Sequence, residues 1–275
     1  MDNGGPNNLV FQRTICPECV SAPSKAALFL EFQSHPPGLV CPLCKRTYFL
    51  KNGIVDLVGG DSGKRSLVQF AMELRPLVSI YERIWRPLVT LPFSRLSWEM
   101  EMSVKLLAIS PSHDLLDIAC GTGNFTTLFH KMIPRGSVTA IDLSCPMLSQ
   151  FSKENERNGT TNVTLMRVDV TKWPFYHNTF ERIHCAGALH LFPRIDDVFK
   201  SIERSLRPGG IFVGATYTKS KSPLKRGFQK IISDRSGFHW FHSEELFQLA
   251  ARAGLIDWEQ HVHKEGIVFR VKKKA

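Results

Sequence analysis

The chain has 275 residues, 43% hydrophobic and 22% charged, which is ordinary globular usage and excludes a disordered or fibrous protein. That length suffices for one large core plus a small appendage, because single cores stop growing near ~250 residues. The formal charge of +10 (35 Lys+Arg against 25 Asp+Glu) favours an anionic partner such as RNA, a membrane surface or an acidic metabolite, while no apolar run reaches the ~18 residues of a membrane span.

The first segment, MDNGGPNNLV, lacks both the basic start and apolar stretch of a signal peptide and the basic, Ser-rich character of an organelle leader, so a cytoplasmic location is expected. Two Cys-x-x-Cys turns follow, CPEC (Cys16, Cys19) and CPLC (Cys41, Cys44), 21 residues apart. Each such turn presents two thiolates from one tight loop, and two turns complete the tetrahedron of a zinc ribbon. Two disulfides or a redox pair are the alternatives; a reducing compartment disfavours the first, and the second needs only one motif. Four thiolates close the coordination sphere, so the expected zinc is structural. The stretches ALFLEF, GLVC, RTYFL and GIVDLV read as its short strands, giving a small domain over residues 1–58. Its charge is near balance, with Lys45, Arg46 and Lys51 against Glu18, Glu31 and Asp56.

GGDSGKRS, residues 59–66, reads as a polar linker. Over 67–110, LVSIYERIWRPLV and SWEMEMSVKLLAI have helical spacing broken by prolines, and form either a lid over a later site or plain packing. Phe70, Tyr81, Trp85 and Phe93 are candidates to line a pocket beneath it.

From His113 strands alternate with helices: DLLDIA, a helix over 124–133, SVTAIDL, a helix over 146–156, VTLMRVD and FERIHCAG. Next come the helix IDDVFKSIERSL, the turn RPGG, the strand IFVGATY, the helix SEELFQLAARAG and the closing strands LIDWEQ and GIVFRV. Such alternation predicts an α/β domain over 111–275, a sheet with helices on both faces. The basic stretch KSKSPLKRGFQK and the final RVKKKA are read as solvated surface. Ser243 is the expected cap of the helix after GFHWFH. Cys120, Cys145 and Cys185 are read as small hydrophobes.

In a sheet of this kind ligands bind at the carboxyl ends of the strands. The first strand ends at DIACGTGN, where Gly121 and Gly123 bare the backbone at a helix start. Thr126 stands where a dinucleotide fingerprint wants a third glycine, which argues against a pyrophosphate. Asp142 ends the second strand, 19 residues beyond Gly123, placed to accept from a ribose diol. Asp169 ends the third, positioned either to accept from an exocyclic amine or to cap a turn. A ribose and an amine-bearing base without pyrophosphate describe S-adenosylmethionine.

LLDIACGTGNFT, VTAIDLSCPML, VDVTKWPF, AGALHLFP and LRPGGIFV, in this order, resemble the successive motifs of class I S-adenosylmethionine-dependent methyltransferases, particularly the ubiquinone/menaquinone methyltransferase-like group, over about residues 110–272. With LVSIYERIWR and the ribbon included, the chain is similar to uncharacterised methyltransferases of plant plastids and cyanobacteria, and its layout is similar to ribosomal RNA guanine-N1 methyltransferases. The resemblance implies a Rossmann-like seven-stranded sheet with its last strand antiparallel, and Asp142 on the ribose hydroxyls. It implies Asp169 and the backbone of Val170 near adenine, Met147 against the cofactor and Gly187 facing its methyl end, with Asp117, Ala119 and Leu143 completing the cofactor site. The same resemblance puts CAGALHLF in place of the Asn-Pro-Pro-Tyr type loop of enzymes that methylate planar amines.

His190, in GALHLF, is the one titratable residue expected on the acceptor side, either as general base or as a loop-fixing hydrogen-bonding group. The favoured acceptor is a small molecule methylated at oxygen or carbon. An RNA base gripped by the ribbon and KSKSPLKR is the second reading, and a non-catalytic binding module on the same fold is the third.

Overall fold

Apolar residues that alternate or run unbroken between turns build the sheet, and they do so from both ends of the chain. The computed structural model describes residues 13–20, 29–31, 38–59 and 93–275. The helix expected in LVSIYERIWRPLV, most of the linker, and Phe70, Tyr81 and Trp85 lie outside the described residues.

Four short strands come first: β1 (Phe29–Glu31), β2 (Gly38–Val40), β3 (Thr47–Lys51) and β4 (Ile54–Asp56). Helix α1 (Leu96–Leu107) follows, then β5 (Asp114–Ile118), α2 (Thr126–Met132), β6 (Ser137–Asp142), α3 (Cys145–Arg157), β7 (Val163–Arg167) and β8 (Phe180–Ala186). After a 3₁₀ turn at Leu189–Leu191 come α4 (Ile195–Ser205), β9 (Leu206–Tyr217), α5 (Pro223–Ser236), α6 (Ser243–Arg252), β10 (Leu255–His263) and β11 (Gly266–Lys273).

The seven strands from β5 onward lie in the order β7-β6-β5-β8-β9-β11-β10, with β11 antiparallel to β9 and the β5, β6, β7, β8 and β9 pairings parallel. The order reverses between β5 and β8, so the loops that follow these two strands part and open a crevice there, with the loop after β6 beside it. Leu115, Leu116 and Ile118 of β5 are wholly buried, as helices on both faces require.

The ribbon strands extend this sheet instead of standing apart. β4 pairs in parallel with β7 through Ile54↔Leu165, Val55↔Met166 and Asp56↔Arg167, and β1 to β4 continue as an antiparallel meander, making eleven strands in one sheet. An edge strand with unpaired backbone groups is thereby covered.

Three local expectations differ. RPGG is a bulge within β9: Phe180 pairs with Leu206 and Arg182 already with Ile211, so residues 207–210 loop out, with Gly209 at φ +72°. Helix α6 is capped by His242, not Ser243, through a reciprocal pair of bonds with Glu245. Helix α5 forms within the basic stretch read as surface; its buried face carries Gln229, so the sequence shows no core-facing apolar stripe there.

Candidate cofactor and metal sites

The loop after β5 holds three residues with left-handed backbone: Ala119 (φ +54°), Gly121 (φ +58°) and Gly123 (φ +88°). Gly121 donates its N–H to Asp142 Oδ2 at 2.9 Å, and Ser144 donates to Oδ1 at 2.8 Å. Each carboxylate oxygen therefore accepts one backbone N–H. A carboxylate has about four acceptor positions, so acceptor capacity beyond these two bonds remains for a further donor. Burial pushes the Asp142 carboxyl above its ordinary value, and the N–H groups of Ser144 and Gly121 pull it back in part. Met147 is buried on the first turn of α3, where Ser144 caps the helix and accepts the Met147 N–H.

Gly123 has a different reason to be glycine. A Cβ there would lie 2.3 Å from Cε2 of Phe151, so the space is filled by a ring of α3.

Asp117 lies beneath the loop, buried, with Oδ1 2.8 Å from His184 Nδ1 and Oδ2 accepting from Thr126 Oγ1 at 2.5 Å. Its two oxygens are thus engaged within the protein. The His184 ring is packed between Phe125 and Phe129, centroids 4.6 and 4.9 Å away, and its buried Nε2 has no hydrogen-bond partner among the described residues. Neither Thr126 nor His184 was singled out as a support from the sequence.

At the end of β7, Asp169 Oδ1 accepts from the N–H and Oγ1 of Thr171 at 2.9 and 2.7 Å, closing a turn, while Val170 packs on the main core. Leu143 offers its carbonyl to Arg167 Nε at 3.1 Å, and the same guanidinium reaches Asp56 Oδ2 of β4 at 3.0 Å. Arg167 thus ties the loop after β6 to the ribbon. Only the long-range pairing of β4 with β7 reveals that link.

On the other side of the crevice, Gly187 (φ +71°) donates to the Ala215 carbonyl at 3.0 Å and leads into the turn that carries His190. His190 is buried; its Nδ1 is 3.4 Å from Thr216 Oγ1 and its ring stacks on Phe238 with centroids 3.8 Å apart. Phe93, Tyr217 and Trp240 form a buried cluster against which Phe238 packs. His239 sits at the surface with Nε2 2.7 Å from Glu245 Oε1, a role in the α6 cap shared with His242.

The Sγ atoms of Cys16, Cys19, Cys41 and Cys44 all lie within 4.8 Å of one another, with Cys16 and Cys44 at 3.7 Å. A tetrahedral zinc with Zn–S near ~2.3 Å sets its sulfurs about 3.8 Å apart, so the donor set and spacing are compatible with that ion. No disulfide joins any two of the four. Burial and the neighbouring sulfurs push Cys19 up to about 12, whereas the Arg46 N–H brings Cys44 down to about 7. The Tyr48 hydroxyl lies 3.0 Å from Cys16 Sγ.

Strand order, glycine loop and strand-end carboxylate together define a Rossmann-like α/β fold with its crevice at the switch point beside β5. The methyltransferase-domain family matches residues 115–210. The chain is 30% identical over 281 residues to the uncharacterized chloroplastic methyltransferase At2g41040 of Arabidopsis thaliana, covering 96% of this chain and 78% of that one. It is 30% identical over 124 residues to the ubiquinone/menaquinone biosynthesis C-methyltransferase UbiE of Pseudomonas aeruginosa, covering 44% and 48%. Phosphoethanolamine N-methyltransferase 2 of Haemonchus contortus, solved with S-adenosyl-L-methionine, shares the fold at TM-score 0.64 and 16% identity, over 78% of this chain and 61% of that one. The chain belongs to the class I S-adenosylmethionine-dependent methyltransferases, as its motifs implied. The plant relative is named as chloroplastic, a compartment other than the expected cytoplasm; among the described residues no helix is long and apolar enough to cross a membrane.

Proposed function

We propose that this methyltransferase acts on a small, apolar, ring-bearing acceptor at oxygen or carbon. The observation that carries the reading is the aromatic cluster of Phe93, Tyr217, Phe238 and Trp240 around His190, beyond the carboxyl ends of β8 and β9. Apolar walls with one polar, titratable group suit a flat acceptor bearing a hydroxyl or an activated carbon. The activity for which the UbiE relative is named, C-methylation in ubiquinone/menaquinone biosynthesis, supports the same class.

S-adenosylmethionine, when bound, supplies an already activated methyl group. What remains for the chain is alignment and proton handling. Asp142 holds the ribose diol through its remaining acceptor capacity, Asp169 and Val170 border the adenine, and Met147 packs against the cofactor. Asp117 supports the loop from below through Thr126 and His184. His190 removes the acceptor's proton, with Thr216 and Phe238 fixing its ring.

The four cysteines hold a structural zinc. The ribbon's charges support a bracing role over an RNA grip: Glu18 is paired with Lys172 at 2.8 Å and Arg46 at 3.5 Å, and Asp56 with Arg167. Those pairs turn the ribbon's polar groups onto the cofactor-side loops.

The test is incubation with labelled donor and either total RNA or a lipid-soluble extract. Label is expected in the lipid-soluble fraction. Label confined to RNA would replace this reading with the nucleic-acid one.

A further inference from the structure

Helix α5 is amphipathic the wrong way round for a soluble protein. Its protein-facing side packs Ile232 against Phe93, Tyr217 and Trp240 and is otherwise polar: Gln229, 3% exposed, accepts the Ser220 N–H at 2.9 Å and donates to the Thr218 carbonyl at 3.0 Å. Beside it Lys225 pairs with Glu265 at 2.9 Å, and Ser233 Oγ donates to the Phe238 carbonyl at 2.8 Å. The Trp240 indole N–H closes on the Gln229 carbonyl at 3.1 Å.

The apolar side faces outward. Leu224, Phe228 and Ile231 are 86%, 55% and 51% exposed, and their spacing of i, i+4, i+7 places them on one stripe. Lys219, Lys221, Lys230 and Arg235 are exposed beside that stripe, with Asp234 as the acidic residue among them and Arg226 on the opposite side of the helix. A basic rim around exposed leucine, phenylalanine and isoleucine is the pattern of a helix lying in the headgroup layer of an anionic bilayer. RNA would use the cations but gains nothing from Leu224 or Ile231, which cannot stack on bases as aromatic rings do.

The stripe also connects inward. Phe228 stacks on Phe93 with ring centroids 6.3 Å apart, Phe93 meets Trp240 at 5.0 Å, Trp240 meets Phe238 at 4.4 Å, and Phe238 lies on His190. A continuous line of rings runs from the outer face of α5 to the residue assigned to the acceptor side.

We infer that α5 docks the protein on an anionic lipid surface, from which a lipophilic acceptor passes along these rings to His190. The acceptor step rests on the function proposed above, while the docking itself does not.

The experiment is co-sedimentation of the full chain with vesicles of phosphatidylcholine alone or mixed with phosphatidylglycerol, at low and raised salt. Binding about tenfold stronger to the mixed vesicles is expected, falling as salt rises. The double variant Leu224→Gln, Ile231→Gln should lose about tenfold of it, with thermal unfolding and donor binding unchanged. Absent binding, equal binding to both vesicles, full binding by the double variant, or capture by RNA in preference to vesicles would each overturn the inference. No donor or turnover enters this measurement, so its failure is separable from an absence of label in the lipid-soluble extract.

Discussion

The N–H of Gly121 meets Oδ2 of Asp142 at 2.9 Å, so the loops that top β5 and β6 are fastened to each other by the carboxylate that faces the crevice. Replacing it by alanine removes both that tie and the acceptors for a ribose diol. Hydrogen bonds to a charged group contribute about 1.5–3 kcal/mol, so Asp142→Ala should weaken donor binding by about 10–100-fold in calorimetry. The pH dependence has a definite sign. Burial raises this carboxyl above its ordinary 3.8, so its contribution to folding is full below 3.8 and is lost as pH rises through the folded value. Donor binding needs the ionised form and should fall as pH drops toward that raised value. An affinity flat down to the ordinary carboxylate range would contradict the assignment.

Gly123 and Phe151 give the second prediction. An alanine there collides with the ring and keeps φ near +88°, adding a left-handed backbone penalty to overpacking. Gly123→Ala should cost about 3 kcal/mol in denaturant unfolding. In a Phe151→Leu background the same change should cost less than half as much, because the colliding atoms are gone. Equal cost in both backgrounds would mean that the ring is not what excludes a side chain.

The alternation of strands and helices, the glycine turn after β5 and the acceptor that ends β6 are legible because each is local: a turn needs a bare backbone, and a strand end next to it needs an acceptor. Strand positions in the ribbon were legible for the same reason, through turns and apolar alternation. What the sequence hid is non-local. The bonds of Arg167 depend on β4 lying beside β7, and the crowding at Gly123 on α3 folding over it. Helix α5 is hidden because its protein-facing side mixes Ile232 with polar Gln229 while its longest apolar stripe faces outward, which blurs the periodicity that reveals helices.

The ribbon should matter to the cofactor site through Arg167. Removing zinc with a chelator should loosen residues 38–56, and amide exchange should rise in Val163–Arg167, the strand that β4 covers. Arg167→Ala should keep one zinc per chain by elemental analysis yet weaken donor binding severalfold, since Leu143 loses the donor that holds its carbonyl. Donor affinity unaffected by both treatments would confine the ribbon to stability.

Ala119 occupies a left-handed conformation at φ +54° without being glycine. For an L-residue this costs roughly 1–2 kcal/mol, offset in part by the greater unfolded-state freedom of glycine. Ala119→Gly is therefore expected to stabilise by about 1 kcal/mol and to raise Tm by about 2–4 °C. A lower Tm would show that the Ala119 methyl, packed against the main core, contributes more than the strain it causes.

The buried pair of Asp117 and His184 supports the glycine loop, and its two members should be strongly coupled. His184→Phe keeps a ring between Phe125 and Phe129 but strips Oδ1 of Asp117 of its partner in a site closed to water. A buried acceptor left unpaired costs about 1–3 kcal/mol, and more for a charged group. His184→Phe alone should therefore destabilise by about 3 kcal/mol. With Asp117→Leu added, both polar groups are gone and Thr126 alone loses a partner, so the second substitution should cost little beyond the first. The cycle should yield a coupling of about 2 kcal/mol. Additive single effects would mean that the two side chains touch without depending on each other, and the loop would then be held by Thr126 and the backbone.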